Sequence, residues 1–353
     1  MKKLRIAQVA PLWFTTPPKK YGGIERVAAF LADGLAKKGH QVTLFAAAGS
    51  KTPGKLVSVY PKPLIEAGIG WTNPFWNLEN LSAAYRTAKK GEFDIMHSHL
   101  DIWTLYFQDL IKVPTVITLH NALYKADQDP NENSRIDLFQ KKRKVTNVVF
   151  VSKAMKKTAE VKFPKSSVIY NGIDVNNFKF NPRGGDHFVW AARIDKYKGI
   201  ENAISAAEKL GVKLLLAGRL DPIQRDYFKF KIKPRLNRKI QYLGELADRE
   251  LSDFFGSAKA FLYPIEWEEP FGLVVAEAMA CGTPVIAYRR GSMEELIKDG
   301  QTGFLVDNFS ELLQVMKKIH LIDRNLVRRH IENNFRKELM VERYEQLYYQ
   351  LLK

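Results

Sequence analysis

Cysteine is almost missing from this 353-residue chain, and the single one, Cys281, rules out an internal disulfide. It falls inside an apolar helical pattern, where it reads as a small core residue of a protein kept in a reducing compartment. Long hydrophobic runs are missing too: no stretch approaches the ~18 consecutive apolar residues that a membrane-crossing helix requires. Behind Lys2, Lys3 and Arg5 only the short run Leu4 to Ala10 precedes Pro11, too short for the apolar part of a secretory leader and without a cleavage pattern. A cytoplasmic protein that does not span a membrane is expected. Low-complexity segments and sequence repeats are also lacking, and 46% hydrophobic residues spread along the chain indicate a globular protein.

Acidic residues are the other deficit. Against 55 Lys and Arg stand 38 Asp and Glu, a net charge of +17, and the excess is uneven. Through Lys165 the chain holds 26 Lys and Arg against 13 acids, and beyond it 29 against 25. Clusters such as Lys19-Lys20, Lys141-Lys142-Arg143-Lys144 and Lys153 to Lys165 would attract an anionic partner, whether nucleic acid, acidic lipid or charged glycan. Nucleic acid is not expected, because the cations do not alternate with aromatics in any recognisable module.

What is present is an alternation of short, β-branched apolar runs with helical patterns, the mark of parallel sheets with crossover helices. Strands are expected over 4–10, 41–47, 93–98, 115–120, 147–152 and 167–170, and again over 187–192, 212–217, 240–243, 260–263 and 284–287. Helices fit between most of them, among them Ile24 to Lys38 and Ile200 to Leu210. The polar, turn-rich stretch from Asn171 to Gly185 reads as a linker. Two doubly wound α/β domains are expected, over 1–170 and 171–335, followed by an amphipathic helix over 336–353.

Four segments carry chemistry. The first is Glu269-Pro270-Phe271-Gly272-Leu273-Val274-Val275-Ala276-Glu277, followed by Cys281-Gly282-Thr283-Pro284 and a strand. Pro270 suits a first helical position and Gly282 a C-cap, and the free N–H groups of the helix start suit an anion. Gly272 lets a ligand approach the backbone, and a second carboxylate, Glu277, lies further into the helix. The second segment, Tyr21-Gly22-Gly23-Ile24-Glu25-Arg26, follows the first strand and opens a helix, so the glycines permit close approach of a phosphate or sugar. It lacks the complete Gly-x-Gly-x-x-Gly pattern, which argues against a nicotinamide dehydrogenase.

The third segment ends a strand with His97-Ser98-His99, and Thr118-Leu119-His120 ends the next strand likewise. Three histidines near one sheet edge also fit a zinc site or a satisfied core, although no cysteine or carboxylate spacing completes a metal set. The fourth, Arg193 to Glu201, places Arg193 at a strand end and Lys198 before a helix, two cations that can neutralise a leaving diphosphate.

Together these segments resemble the retaining family-four glycosyltransferases, the glycosyl transferases group 1, from about residue 4 to residue 350. The resemblance implies a GT-B fold: two Rossmann-like, doubly wound domains facing across a cleft, with the C-terminal helix crossing back to the first. It implies that a hexose moves from a nucleotide-diphosphate sugar to an acceptor hydroxyl with retention of configuration, without metal or other cofactor. The donor side would comprise Gly22, Gly23, Arg193, Lys198, Glu269, Phe271, Gly272, Leu273 and Glu277, and the catalytic set His99, Glu269, Arg193 and Lys198. Ala192 and Ile194 depart from the family's usual Gly-Arg-Leu, but neither change touches a charge. A UDP-sugar is the first expectation for the donor and GDP-mannose the next; the acceptor is a glycan, a lipid or a small molecule.

The apolar residues between Pro61 and Trp76, with Trp13 and Phe14 near Lys19-Lys20, fit two roles. They either line an acceptor pocket, with Tyr21, Trp71, Trp76 and His120 as its side chains, or touch an anionic inner membrane surface. Two further classes stay open: a nucleotide-sugar epimerase on the same scaffold, and a non-enzymatic basic protein that binds membrane or nucleic acid.

Overall fold

A computed structural model describes residues 2–124 and 130–353. The chain divides into two compact units, one made of Met1–Gly172 with Lys337–Lys353 and the other of Ile173–Arg336. The first is built on seven strands: β1 (Arg5–Val9), β2 (Gln41–Phe45), β3 (Lys55–Val57), β4 (Ile95–Ser98), β5 (Thr115–Leu119), β6 (Asn147–Phe150) and β7 (Ser166–Val168). Their order across the sheet is β3-β2-β1-β4-β5-β6-β7, every pairing parallel. The second unit carries β8 (Phe188–Ala191), β9 (Leu214–Ala217), β10 (Ile240–Tyr242), β11 (Ala260–Tyr263), β12 (Val285–Tyr288) and β13 (Gly303–Val306). They run in the order β10-β9-β8-β11-β12-β13, again all parallel.

The strands read as uninterrupted apolar runs because each sheet is covered on both faces. Every residue of β5, β8 and β11 is buried. Two edge strands lie outside the expected set. The triplet Lys-Leu-Val of β3 is too short to show a period, and β13 opens on a glycine. A Cβ at Gly303 would lie 2.1 Å from the Val285 carbonyl oxygen, so close strand approach requires that residue.

Each sheet reverses its strand order once, between β1 and β4 and between β8 and β11. Crevices at the carboxyl ends of strands at such a reversal are where open α/β sheets bind ligands. All four motif segments leave these strands or the neighbouring β5.

The stretch from Asn171 to Gly185 is not a free linker. Its backbone is tied to the second unit: Lys179 N–H donates to Ser252 Oγ, Asn181 N–H to the Cys281 carbonyl, and Arg328 to the Phe178 carbonyl. The buried Arg324 guanidinium donates to the carbonyls of Asn181, Gly256 and Ala258. A polar, aperiodic sequence is thus ordered by arginines more than a hundred residues away. The return crossing runs beside the outgoing one. Ile173 N–H donates to the Phe335 carbonyl at 2.7 Å, and a Cβ on Gly172 would meet Lys337 Cα at 2.4 Å. The final helix, Lys337–Leu351, buries Met340, Val341, Tyr344 and Tyr348 in the first unit.

Candidate functional site

In the second unit, β8 delivers Arg193 and the turn to Lys198, while the segment after β11 delivers Glu269. Lys198 is fixed by its main chain, whose carbonyl accepts from the Trp190 indole at 3.0 Å. Gly199, at φ +73°, lies so close to Pro264 that a Cβ would sit 1.9 Å from its carbonyl oxygen. The Lys198 ammonium donates to Glu269 Oε2 at 2.7 Å and lies 4.3 Å from the Trp267 ring centre. The same oxygen accepts from the Tyr263 hydroxyl at 2.8 Å and from the Trp267 indole at 2.9 Å. Burial pushes the Glu269 carboxyl up, but Lys198 and the two neutral donors outweigh it and hold it below its ordinary value. Glu269 is therefore an ionised carboxylate in a site only 9% exposed.

A loop after β12 clamps the Glu269 backbone. Gly291 N–H donates to Glu268 Oε2 at 2.6 Å, Ser292 N–H to the Glu269 carbonyl, and Ser292 Oγ to the Phe271 carbonyl at 2.6 Å. Gly291 has φ +53°, and a Cβ there would stand 2.3 Å from the Glu269 carbonyl oxygen. Arg193 is looser, a third exposed, with Asp195 at 3.6 Å and Asp221 at 4.0 Å.

The helix after Glu269 begins later than the sequence suggests. It spans Leu273–Ala280, with Gly272 as N-cap at φ +85°, so Pro270 lies in the preceding loop and not in the first turn. The apolar stretch permits helix over its whole length, but Glu269 to Phe271, held by the clamp, form a bend outside it. Gly272 owes its identity to backbone geometry, a φ of +85° that residues with a side chain rarely adopt. Cys281 takes the C-cap position, and Gly282 follows it at φ +80°. Glu277 is 7% exposed on this otherwise apolar helix. Cys281 is fully buried, and burial pushes its thiol up to about 12.

In the first unit Gly22 holds φ +146° against Pro18, and the Gly23–Lys37 helix starts directly after it. Glu25 in its first turn is 2% exposed, Oε1 has no hydrogen-bond partner among the described residues, and burial pushes the carboxyl up to about 8. The histidines form one network. His99 Nε2 faces Gln8 Oε1 at 3.2 Å, an acceptor, so that nitrogen carries the proton and Nδ1 accepts from His120 Nε2 at 2.9 Å. Gln8 donates to the Tyr348 hydroxyl, which donates to His97 Nδ1 at 2.6 Å. His97 Nε2 then donates to Thr118 Oγ1 at 2.7 Å, and Thr118 to the Tyr344 hydroxyl at 2.8 Å. Burial pushes His97 and His120 down to about 3 and His99 well below its usual range, so all three rings are neutral. His99 is 2% exposed, whereas His120 is partly exposed and ends the network with Nδ1 as an acceptor.

The aromatics form two sets of ring contacts joined through Trp13, which packs on the same cluster of Leu12 and Leu64 as Trp76. Trp71 packs on Trp13 at 5.1 Å and Phe14 at 5.5 Å, and Phe14 meets Tyr21 at 5.9 Å. Trp76 makes its ring contact with Tyr60, at 4.6 Å, and packs on Leu12 and Leu64. Spacing placed Tyr344 and Tyr348 on the apolar repeat of the C-terminal helix but not in the histidine network, and it did not single out Tyr263, Trp267 or Gln8. Trp267, two residues before Glu269, was the one within reach of a local reading.

Two all-parallel crossover sheets, each with charged or polar groups at its strand reversal, are the architecture of the GT-B fold. The comparisons resolve it further. Residues 21–177 match the family described as Glycosyltransferase Family 4 and residues 175–338 that described as Glycosyl transferases group 1. The chain belongs to this family and is a glycosyltransferase. A phosphatidyl-myo-inositol mannosyltransferase of Mycobacterium tuberculosis is 25% identical, over 86% of this chain and 82% of its own. Sucrose-phosphate synthase from Thermosynechococcus elongatus has the same fold, with TM-score 0.83 at 20% identity over 99% of both chains. Anabaena HepE in complex with UDP-glucose gives TM-score 0.76 at 19% identity, over 98% of this chain and 100% of its own.

Proposed function

We propose that this protein moves a hexose from a nucleotide-diphosphate sugar to an acceptor hydroxyl, with retention of configuration and without a metal ion. The observation that carries the reading is the Lys198–Glu269 pair beside Arg193 at the strand reversal of the second unit. All three bonds to Glu269 fall on Oε2, which leaves Oε1 to accept from hydroxyls of the hexose. Glu277 accepts from the ribose hydroxyls. Arg193, Lys198 and the start of the Leu273–Ala280 helix stabilise the departing diphosphate, charge compensation that a divalent cation supplies elsewhere.

On the first unit, His120 replaces His99 as the residue expected to touch substrate, because His99 is buried with both ring nitrogens engaged: neutral His120 accepts from a substrate hydroxyl through Nδ1, and His99 fixes its tautomer from behind. The Tyr21, Phe14 and Trp71 cluster offers a stacking wall for the acceptor, whereas Trp76 serves the core. No side chain is assigned as nucleophile. The diphosphate oxygen takes the acceptor's proton as the hydroxyl attacks from the same face, and a covalent glycosyl adduct trapped on Glu269 would overturn this. A UDP-sugar is the preferred donor, in keeping with HepE in complex with UDP-glucose. GDP-mannose comes next, in keeping with a mannosyltransferase relative whose name implies a lipid acceptor.

A thermal-shift panel of UDP, GDP, ADP and their sugars tests the donor site. Stabilisation by one nucleotide class is expected to survive EDTA and to vanish in Glu277→Ala. No stabilisation by any of them would remove the reading, and conversion of the sugar without an acceptor would identify an epimerase instead.

A further inference from the structure

The positive charge of the second unit is concentrated in one place. From Ile173 to Arg336 the chain holds 26 Lys and Arg against 22 Asp and Glu, yet residues 222–239 alone hold seven cations and one acid, Asp226. The rest of the unit is net acidic. This segment leaves β9 as a helical run over 222–235 that passes from a 3-10 turn through a short α turn and the π turn Phe228–Ile232 to a second 3-10 turn. Its inner side is secured: Ile232 is fully buried, Phe228 packs on Tyr242 at 4.8 Å, Tyr227 donates to Glu201, and Arg235 pairs with Glu208.

The outer side is unlike an ordinary solvated surface. Ile223 is 88% exposed and Phe230, seven residues on, 65%. Arg225, Lys229, Lys231 and Lys233 are exposed on the same run without an acidic partner among the described residues, and Lys229 Nζ lies 5.1 Å from the Phe230 ring centre. Single exposed apolar residues are common and need no reason. Two large ones on one anchored run, amid unpaired cations, have a specific chemical complement: a surface with anionic headgroups outside and acyl chains beneath. Nucleic acid would use the cations and leave Ile223 without a partner.

We propose that the 222–239 segment is a docking surface for an anionic lipid bilayer, with Ile223 and Phe230 entering the acyl boundary and the lysines lying at the phosphates. The segment from Pro61 to Trp76 is a poorer anchor than its composition suggests. Leu64 is fully buried, Ile69 and Trp76 pack against the core, and of its large residues Phe75 alone is strongly exposed, at 71%. The proposal does not depend on the transferase reading.

The test is cosedimentation of the full chain with vesicles of phosphatidylglycerol and phosphatidylcholine in equal parts, against pure phosphatidylcholine, at low salt. Binding to the anionic vesicles alone is expected. Ile223→Ser with Phe230→Ser should lower the partition coefficient about tenfold or more. Lys229→Gln with Lys231→Gln and Lys233→Gln should do likewise through charge alone, and Phe75→Ser should leave binding unchanged. All replaced side chains are exposed, and an unchanged melting temperature certifies folding. Absent wild-type binding, binding indifferent to both variant sets, or binding lost through Phe75→Ser instead would overturn the proposal. So would affinity for polyuridine RNA that depends on the lysines but not on Ile223 and Phe230.

Discussion

Glu269 draws three donors onto one oxygen while lying almost wholly out of water, and of the three Lys198 is the one that carries a compensating charge. Replacing Lys198 with Met leaves a buried charge with two neutral donors. The expected cost is about 3 kcal/mol in urea unfolding, the usual penalty for breaking a buried pair from one side. Transfer should fall roughly a hundredfold in kcat, as for other lost charge stabilisers; a loss confined to KM would instead make Lys198 a binding residue. Gly291→Ala probes the clamp without touching a charge. Its Cβ would overlap the Glu269 carbonyl oxygen, and its left-handed backbone adds about 1 kcal/mol. A nucleotide that stabilises the wild type should stabilise this variant far less, and an equal shift would show that the clamp is irrelevant to the donor site.

The final helix and the strands β1, β4 and β5 share the histidine network, so its energetics belong to these elements jointly. Tyr348→Phe removes the donor to His97 Nδ1 and the acceptor for Gln8, and about 1–2 kcal/mol of stability should go with it. The network also sets an acid limit. In the folded protein His97 and His120 protonate only at about 3, and in the unfolded chain near 6.5. Between those values the unfolded state binds more protons, so stability falls as pH falls, by about 1.4 kcal/mol per pH unit for each histidine. Glu25 works in the opposite direction. Its folded value of about 8 lies above the ordinary 4.5, so the folded state binds the extra proton, and stability falls as pH rises through that window. Glu25→Gln should therefore flatten the alkaline side of a melting-temperature profile and leave the acid side alone; the reverse pattern would refute the assignment.

Much of both sheets could be read from the sequence because buried parallel strands advertise themselves as apolar runs. β3 and β13 could not: β3 is a lone Lys-Leu-Val triplet that opens on a charge, and β13 opens on a glycine, a residue depleted in strands. The start of the Leu273–Ala280 helix was misplaced by three residues because Pro270 satisfies a local rule that the clamp from Gly291 and Ser292 overrides. At the site, the charged residues were visible in their motifs, but their partners were not. No spacing rule tells that Tyr263, Trp267 and Lys198 fold onto one oxygen, or that Gln8 lies between His99 and Tyr348.

The whole chain is one covalent path through two separately cored units, and the pieces of the first are far apart in sequence: residues up to Gly172 and the helix from Lys337 onward. The second unit is contiguous, from Ile173 to Arg336. Without the last helix, Gln8, His97 and Thr118 lose the Tyr344 and Tyr348 hydroxyls that complete their hydrogen bonds. A chain ending at Arg336 should accordingly keep slow amide exchange in β8, β11 and β12 and lose it in β1, β4 and β5; protection in both sheets would contradict this. During synthesis the order of birth is therefore not the order of maturation. Of the two sheets, the one made earlier must wait, incompletely covered, until residues 337–353 are made, whereas the one made later can finish before it.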